Sequence, residues 1–183
     1  MIALIGLGNV GEKFKDTKHN AGFWVVDEMA NRHNVSFKPA QGDYVIASKP
    51  DKFFLIKPTT GMNRSGIAVK EIMDSKNMLI NQIYIIFDDV DLPLGKIRIK
   101  PSGGDGCHKG MESIIYRLGT NKFPRIRFGI ASGKNLRPSE KYVLKNFREN
   151  DQVLANEVIV RTSDAVESIV NNGLSKTMNQ YNA

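Results

Sequence analysis

The chain has one cysteine, Cys107, in 183 residues, so it can close no internal disulfide and build no multi-cysteine zinc site. Its fold must rest on packing, and the cysteine usage fits a reducing compartment. Long apolar runs are missing as well. No stretch approaches the roughly 20 consecutive apolar residues of a membrane span, and the opening MIALIGLGNVG lacks the basic region and apolar length of a signal peptide. These absences predict a cytoplasmic protein with no membrane partner. Internal repeats, low-complexity tracts and linkers are also missing. With 41% hydrophobic residues, the chain can bury one core and is short for two, which predicts a single domain over residues 1–183.

What is abundant is positive charge. The formal net charge is +7, which favours a polyanionic partner, because lysines and arginines on phosphates gain from counterion release. The charges also fall in stripes. In Lys96-Ile-Arg-Ile-Lys100 alternate side chains share a strand face, so Lys96, Arg98 and Lys100 stand together, and Arg125 and Arg127 repeat the pattern. Lys141, Lys145 and Arg148 have helical spacing and are expected on one face.

Residues 2–6 read as a short buried strand, followed by a polar loop over 9–19 and a helix from about Asn20. Further strands are expected at 42–48, 53–57, 83–88, 96–100 and 125–131, where β-branched and aromatic residues run between Gly, Pro or Asp. Helices are expected around 63–75, 108–118 and 151–172, the last with Leu154, Val158, Val166 and Ile169 as its packing face. This order mixes adjacent strands with strand-helix-strand crossovers. It predicts an α/β fold, a twisted mixed β-sheet with helices on both faces.

Gly6-Leu-Gly-Asn-Val-Gly11 matches the G-x-G-x-x-G of dinucleotide-binding proteins and follows a strand. That fingerprint needs a helix opened by the third glycine and an acidic residue ending the next strand. Here EKFKDTKH follows Gly11, and Asp27 and Glu28 fall inside the first helix. The glycines are better read as a sharp turn that presents Asn9 at the strand's end. An oxidoreductase reading would require nicotinamide binding, which is not expected.

Only three histidines are available for proton transfer near neutral pH. His33 falls at the end of a helix, where a cap or surface role is expected. His108 lies in the glycine-rich run 102–108. His19 precedes the first helix beside Asn20, near the sheet edge where loop residues carry function. Asp88, Asp89 and Asp91 follow a buried strand, and one of these carboxylates can orient an imidazole. No H-x-H or H-E-x-x-H spacing supports a metal. No G-x-S-x-G elbow supports a nucleophilic serine. A base-activated water remains, with Asn9, Asn20 and Asn63 as neutral donors to a developing oxyanion.

Taken together, Gly6-Leu-Gly-Asn9-Val-Gly11, Lys18-His19-Asn20-Ala-Gly22, Lys57-Pro-Thr-Thr-Gly-Met62-Asn63-Arg-Ser-Gly66 and Asp88-Asp-Val-Asp-Leu-Pro93 resemble bacterial peptidyl-tRNA hydrolases. The resemblance continues through the glycine loop at 103–110, Arg127-Phe-Gly-Ile and Tyr142-Val-Leu. It implies a monomeric α/β enzyme without cofactor or metal. The implied reaction is hydrolysis of the ester between a peptide and the 3′ ribose of tRNA. On this resemblance His19 is the base, Asp88 orients it, Asn9 and Asn63 surround the ester, and Met62 belongs to the peptide site. Asn20, His108 and Lys109 join the expected substrate-binding set, and Lys100 and Arg127 match the grip on the tRNA 5′ phosphate. The glycine loop departs from the family: Lys109 stands where asparagine is usual, Cys107 where glycine is usual, and Asp105 where histidine is common. These departures keep a non-catalytic RNA-binding relative as the alternative.

Overall fold

Ala3 and Ile5 of the first strand point to one side and Leu4 to the other, and all three are fully buried. A strand covered on both faces belongs inside a layered sheet. The computed structural model describes residues 1–134 and 136–182. Among the described residues the strands are β1 (Ile2–Gly6), β2 (Lys38–Pro39), β3 (Tyr44–Lys49), β4 (Phe53–Pro58), β5 (Ile83–Pro93), β6 (Ile97–Lys100) and β7 (Arg125–Ala131). They form one sheet in the order β2-β3-β4-β1-β5-β7-β6. Pairs β1–β4, β1–β5 and β5–β7 are parallel, whereas β2–β3, β3–β4 and β6–β7 are antiparallel. The expected mixed sheet is therefore present.

The helices are α1 (Ala21–His33), α2 (Ser65–Ser75), α3 (Lys109–Leu118), α4 (Glu140–Val143), α5 (Glu149–Asn172) and α6 (Leu174–Tyr181). One sheet face packs Leu4, Leu55 and Ile86 against Val25, Val26, Val166 and Ile169 of α1 and α5. The other packs Ile5, Ile56 and Ile85 against Val69 and Ile72 of α2 and Met111 and Ile114 of α3. His33 joins the first layer by its Nε2 contact with Glu167 Oε1, 2.5 Å away, and by its edge-on packing against Phe53.

Several expectations shift in detail. Helices α4 and α6 and the two-residue β2 lack a periodic signal long enough to read in sequence. Strand β5 runs on to Pro93 because it continues along β7, with a register irregularity between Asp89 and Pro93. Leu154 is 39% exposed and lies over Gly95 at the sheet edge, whereas Val158, Val166 and Ile169 are buried. The segment after Gly11 forms two 3-10 turns, Glu12–Phe14 and Lys18–Asn20, before α1. Lys141, Lys145 and Arg148 do not share a helix: α4 ends at Val143, and Arg148 caps α5. The intervening carbonyls of Lys145 and Asn146 are bound by Lys18 Nζ instead of helical amides.

Two glycines bring α1 onto the centre of the sheet. A Cβ on Gly6 would lie 2.2 Å from the Gly22 carbonyl oxygen, and one on Gly22 would lie 2.3 Å from the Ile86 oxygen. Backbone meets backbone there, so no larger residue fits. This approach sets the residues before α1 beside the carboxyl ends of β1 and β5, the edge at which parallel sheets place ligands.

Candidate active site

Asp88 is carried into the sheet edge by β5 and is 2% exposed. An isolated carboxylate that deep would be costly, so it needs donors. Two imidazoles supply them: His19 Nδ1 lies 2.8 Å and His108 Nε2 2.9 Å from the same oxygen, Oδ1. His108 Nδ1 accepts the Met111 backbone N–H at 3.3 Å and so caps α3. Its remaining proton must sit on Nε2 and point at Asp88. In the same way Asp88 draws the His19 proton to Nδ1, which leaves Nε2 as a lone pair. Phe87 packs its ring edge-on against His108 and restricts that imidazole.

Burial by itself would raise the Asp88 carboxyl, but the two histidines and their hydrogen bonds outweigh it and hold the group well below its ordinary range. For His19 burial pushes downward, and the Asp88 carboxylate and its hydrogen bond carry the pKa above the ordinary 6.5. The arrangement is a histidine made more basic by a fixed anion.

Around this centre lies a cleft of about 270 Å³. It is lined by Asn9, His19, Met62 and Asn63, by Phe87 and Val90, by the 105–109 loop, and by a wall segment of Ser139, Glu140, Val143 and Leu144. Asn9 Oδ1 accepts the Met62 N–H at 2.9 Å, which directs the other end of its amide away from that bond. A second depression of about 290 Å³ shares Phe87, Asp89, Asp105 and Gly106 with the cleft and is lined by Lys100, Arg125 and Arg127.

The peptidyl-tRNA hydrolase family model matches residues 3–183. The chain belongs to the peptidyl-tRNA hydrolase family. The peptidyl-tRNA hydrolase of Geobacillus thermodenitrificans is 43% identical over 185 residues, covering the whole of both chains. That of Thermodesulfovibrio yellowstonii is 43% identical over 187 residues, covering all of this chain and 99% of the relative. The crystal structure of the Acinetobacter baumannii enzyme superposes with a TM-score of 0.91 at 31% identity, covering 100% of this chain and 95% of that one.

Set in this family's fold, the expected site residues divide into four groups. His19, Asp88, His108, Asn9, Met62 and Asn63 come together at the cleft. Asn20 does not line it among the described residues. Its buried side chain pairs both ways with the Asn9 backbone, Oδ1 accepting from N at 2.8 Å and Nδ2 donating to O at 2.9 Å. It positions Asn9 rather than offering a free amide. Lys109 reaches the rim, but its ammonium turns outward to Glu112 Oε2 at 2.9 Å. Lys100 and Arg127 line the second depression, where Arg127 Nε donates to Asp89 Oδ2.

Other residues escape a sequence reading. Arg98 donates to the Asn182 carbonyl at 2.7 Å and so leaves the basic stripe. Arg125 is fully buried, and its guanidinium donates to the carbonyls of Gly104 and Asn121, which holds the glycine loop. Burial and the neighbouring Arg127 push its pKa down to about 10. Alternation along the 125–131 strand offered a signal for Arg125 and Arg127 sharing a face, but none for one being buried. The cleft wall at Ser139–Leu144 offered none, since it is a short turn of mixed composition.

Proposed function

We propose that the chain hydrolyses peptidyl-tRNA, with His19 as the general base, Asp88 as its orienting carboxylate and no covalent enzyme intermediate. The observation that carries this reading is the His19 Nδ1 contact with Asp88 Oδ1 at 2.8 Å, which leaves Nε2 as the base in a cleft. Nε2 removes a proton from water, and the resulting hydroxide forms the C–O bond to the ester carbonyl. The tetrahedral intermediate then expels the 3′ ribose oxygen, which takes the proton back from the imidazolium. Asp88 stabilises that imidazolium while it lasts. Asn9 and Asn63 are the neutral donors to the oxyanion, and such a donor contributes about 10²–10³ in rate.

Met62, Val143 and Leu144 form the apolar part of the cleft and suit the peptide. His108 holds the second lone pair of Asp88 Oδ1, and Lys109 lies at the rim, where its outward charge meets RNA rather than the imidazole. Lys100 and Arg127 hold the 5′ phosphate in the adjoining depression, with Arg125 beneath the glycine loop. The reading takes residues 1–183 as one monomeric unit acting in the cytoplasm on the acceptor end of tRNA. Among the described residues no helix is long and apolar enough to cross a membrane.

The test is hydrolysis of N-acetyl-aminoacyl-tRNA beside the unacetylated form. Release of tRNA from the first alone is expected. Tight tRNA binding without release from either would support instead the non-catalytic RNA-binding relative.

A further inference from the structure

Lys18 immediately precedes the base and is 4% exposed. A buried ammonium needs compensation, and no carboxylate lies within ion-pair distance among the described residues. Its Nζ donates to the carbonyls of Asn146 at 2.7 Å and Lys145 at 3.2 Å. It also lies 4.4 Å from the ring centroid of Tyr142 and 5.2 Å from that of Phe147, so the charge faces two π clouds. The backbone repeats the attachment: Lys18 N donates to Lys145 O at 3.1 Å, and Thr17 bridges Asn146. Burial pushes the ammonium below its ordinary 10.5, the Asp151 carboxylate opposes that, and Arg148 and Lys145 add to it.

The groups that Lys18 contacts lie in residues 142–147, which overlap and continue the segment whose Ser139, Glu140, Val143 and Leu144 line the cleft. On its other side that segment is tied down by Tyr142, whose hydroxyl donates to the Ile130 carbonyl at 2.6 Å and accepts the Ser132 N–H at 3.0 Å. The wall is thus held at two points, one on β7 and one on the residue next to His19. A lysine here does what an apolar residue cannot, because its ammonium donates to two carbonyls beyond the end of α4.

We propose that Lys18 is a positioning residue that latches the 139–148 wall to the loop carrying His19 and so sets the width of the cleft for the peptidyl group. It touches neither the reacting ester nor the His19–Asp88 pair, so it acts on substrate fit and not on proton transfer. The inference rests on the hydrolase reading above. Turnover by the unaltered protein tests that reading, whereas backbone amide exchange tests the latch without any turnover.

The experiment compares Lys18→Met, which keeps the stem and removes the charge, with Lys18→Arg. In Lys18→Met the KM for N-acetyl-aminoacyl-tRNA is expected to rise about five- to ten-fold with kcat within about two-fold and the pH at half-maximal kcat unmoved. Amide exchange should speed up at residues 140–148 and stay unchanged in α1 and β1. Lys18→Arg should restore both readouts to within about two-fold of the parent. Should Lys18→Met not fold, Phe147→Leu removes one ring face and keeps both carbonyl bonds, and a rise in KM of about two-fold is expected from it. Unchanged KM and exchange would overturn the proposal. So would a fall in kcat with a shifted pH profile, exchange raised equally throughout the chain, or an arginine variant no better than methionine.

Discussion

His19 and His108 bind the same oxygen of Asp88, with their ring centroids 4.8 Å apart. The two rings do different work because their second nitrogens differ. Nδ1 of His108 is occupied by the Met111 N–H, whereas Nε2 of His19 is left as a lone pair. One carboxylate charge serves both.

From this relationship, His19→Ala is expected to lower kcat by roughly 10²-fold or more, the usual worth of a positioned base, with the fold intact by circular dichroism. His108→Ala removes one donor to Asp88 and the side-chain cap of α3. It is expected to cost about 1 kcal/mol of stability through the cap and only about ten-fold in kcat. A loss from His108→Ala as great as that from His19→Ala would reassign the base.

The pH dependence follows from the two opposed influences on His19. Its base form is the neutral ring, so kcat/KM should rise with pH through a value above 6.5, because the Asp88 carboxylate outweighs burial. In Asp88→Asn the charge is gone and burial acts alone, so the rise should move below 6.5 while the plateau falls. Stability changes in step. The Asp88 contribution is complete above the ordinary 3.8 and is lost as pH falls through the lower folded value. The His19 contribution is complete below 6.5 and is lost as pH rises through its raised folded value. A pH–rate profile and urea melts of both proteins measure these shifts. An unmoved midpoint in Asp88→Asn would remove the carboxylate from the mechanism.

At the second depression, replacing Lys100 and Arg127 together by alanine should raise KM for 5′-phosphorylated tRNA far more than for a short acylated fragment. It should also flatten the dependence of log KM on log salt by about one to two units of slope. The variant also frees Asp89, whose carboxylate is paired with Arg127. Equal loss on the two substrates would exclude a phosphate site.

Lys109 stands at the cleft rim with its ammonium on Glu112, and that contact raises its pKa above the ordinary 10.5. Because the charge points away from His19, Lys109→Asn should change kcat by only a few-fold, within about 1 kcal/mol of barrier. It should weaken tRNA binding chiefly at low salt. A gain of ten-fold or more in kcat, with the His19 midpoint moving up, would show that the lysine charge reaches the base.

By itself the sequence determined the layered α/β character, because the short apolar runs at 2–6 and 83–88 suit strands covered on both faces and the 3.6-residue pattern over 63–75 and 108–118 suits helices with one buried face. It also determined which few groups are able to do proton chemistry, since three histidines and one cysteine leave little choice. What it left open were relationships between distant residues. Asp88 meets His19 across 69 positions and His108 across 20, and the choice of Asp88 over Asp89 and Asp91 came from a resemblance, since all three stand at the end of the same apolar run. Asn9, Asn20 and Asn63 looked equivalent as amides. Only packing decided that Asn20 holds the Asn9 backbone while the other two reach the cleft. Lys18 and Arg125 looked like two more members of a basic surface. Both are buried on carbonyls, and no local pattern reports which carbonyls a folded chain leaves unpaired. That is decided where the backbone departs from its helix or strand, and only the assembled tertiary structure brings a cation to it.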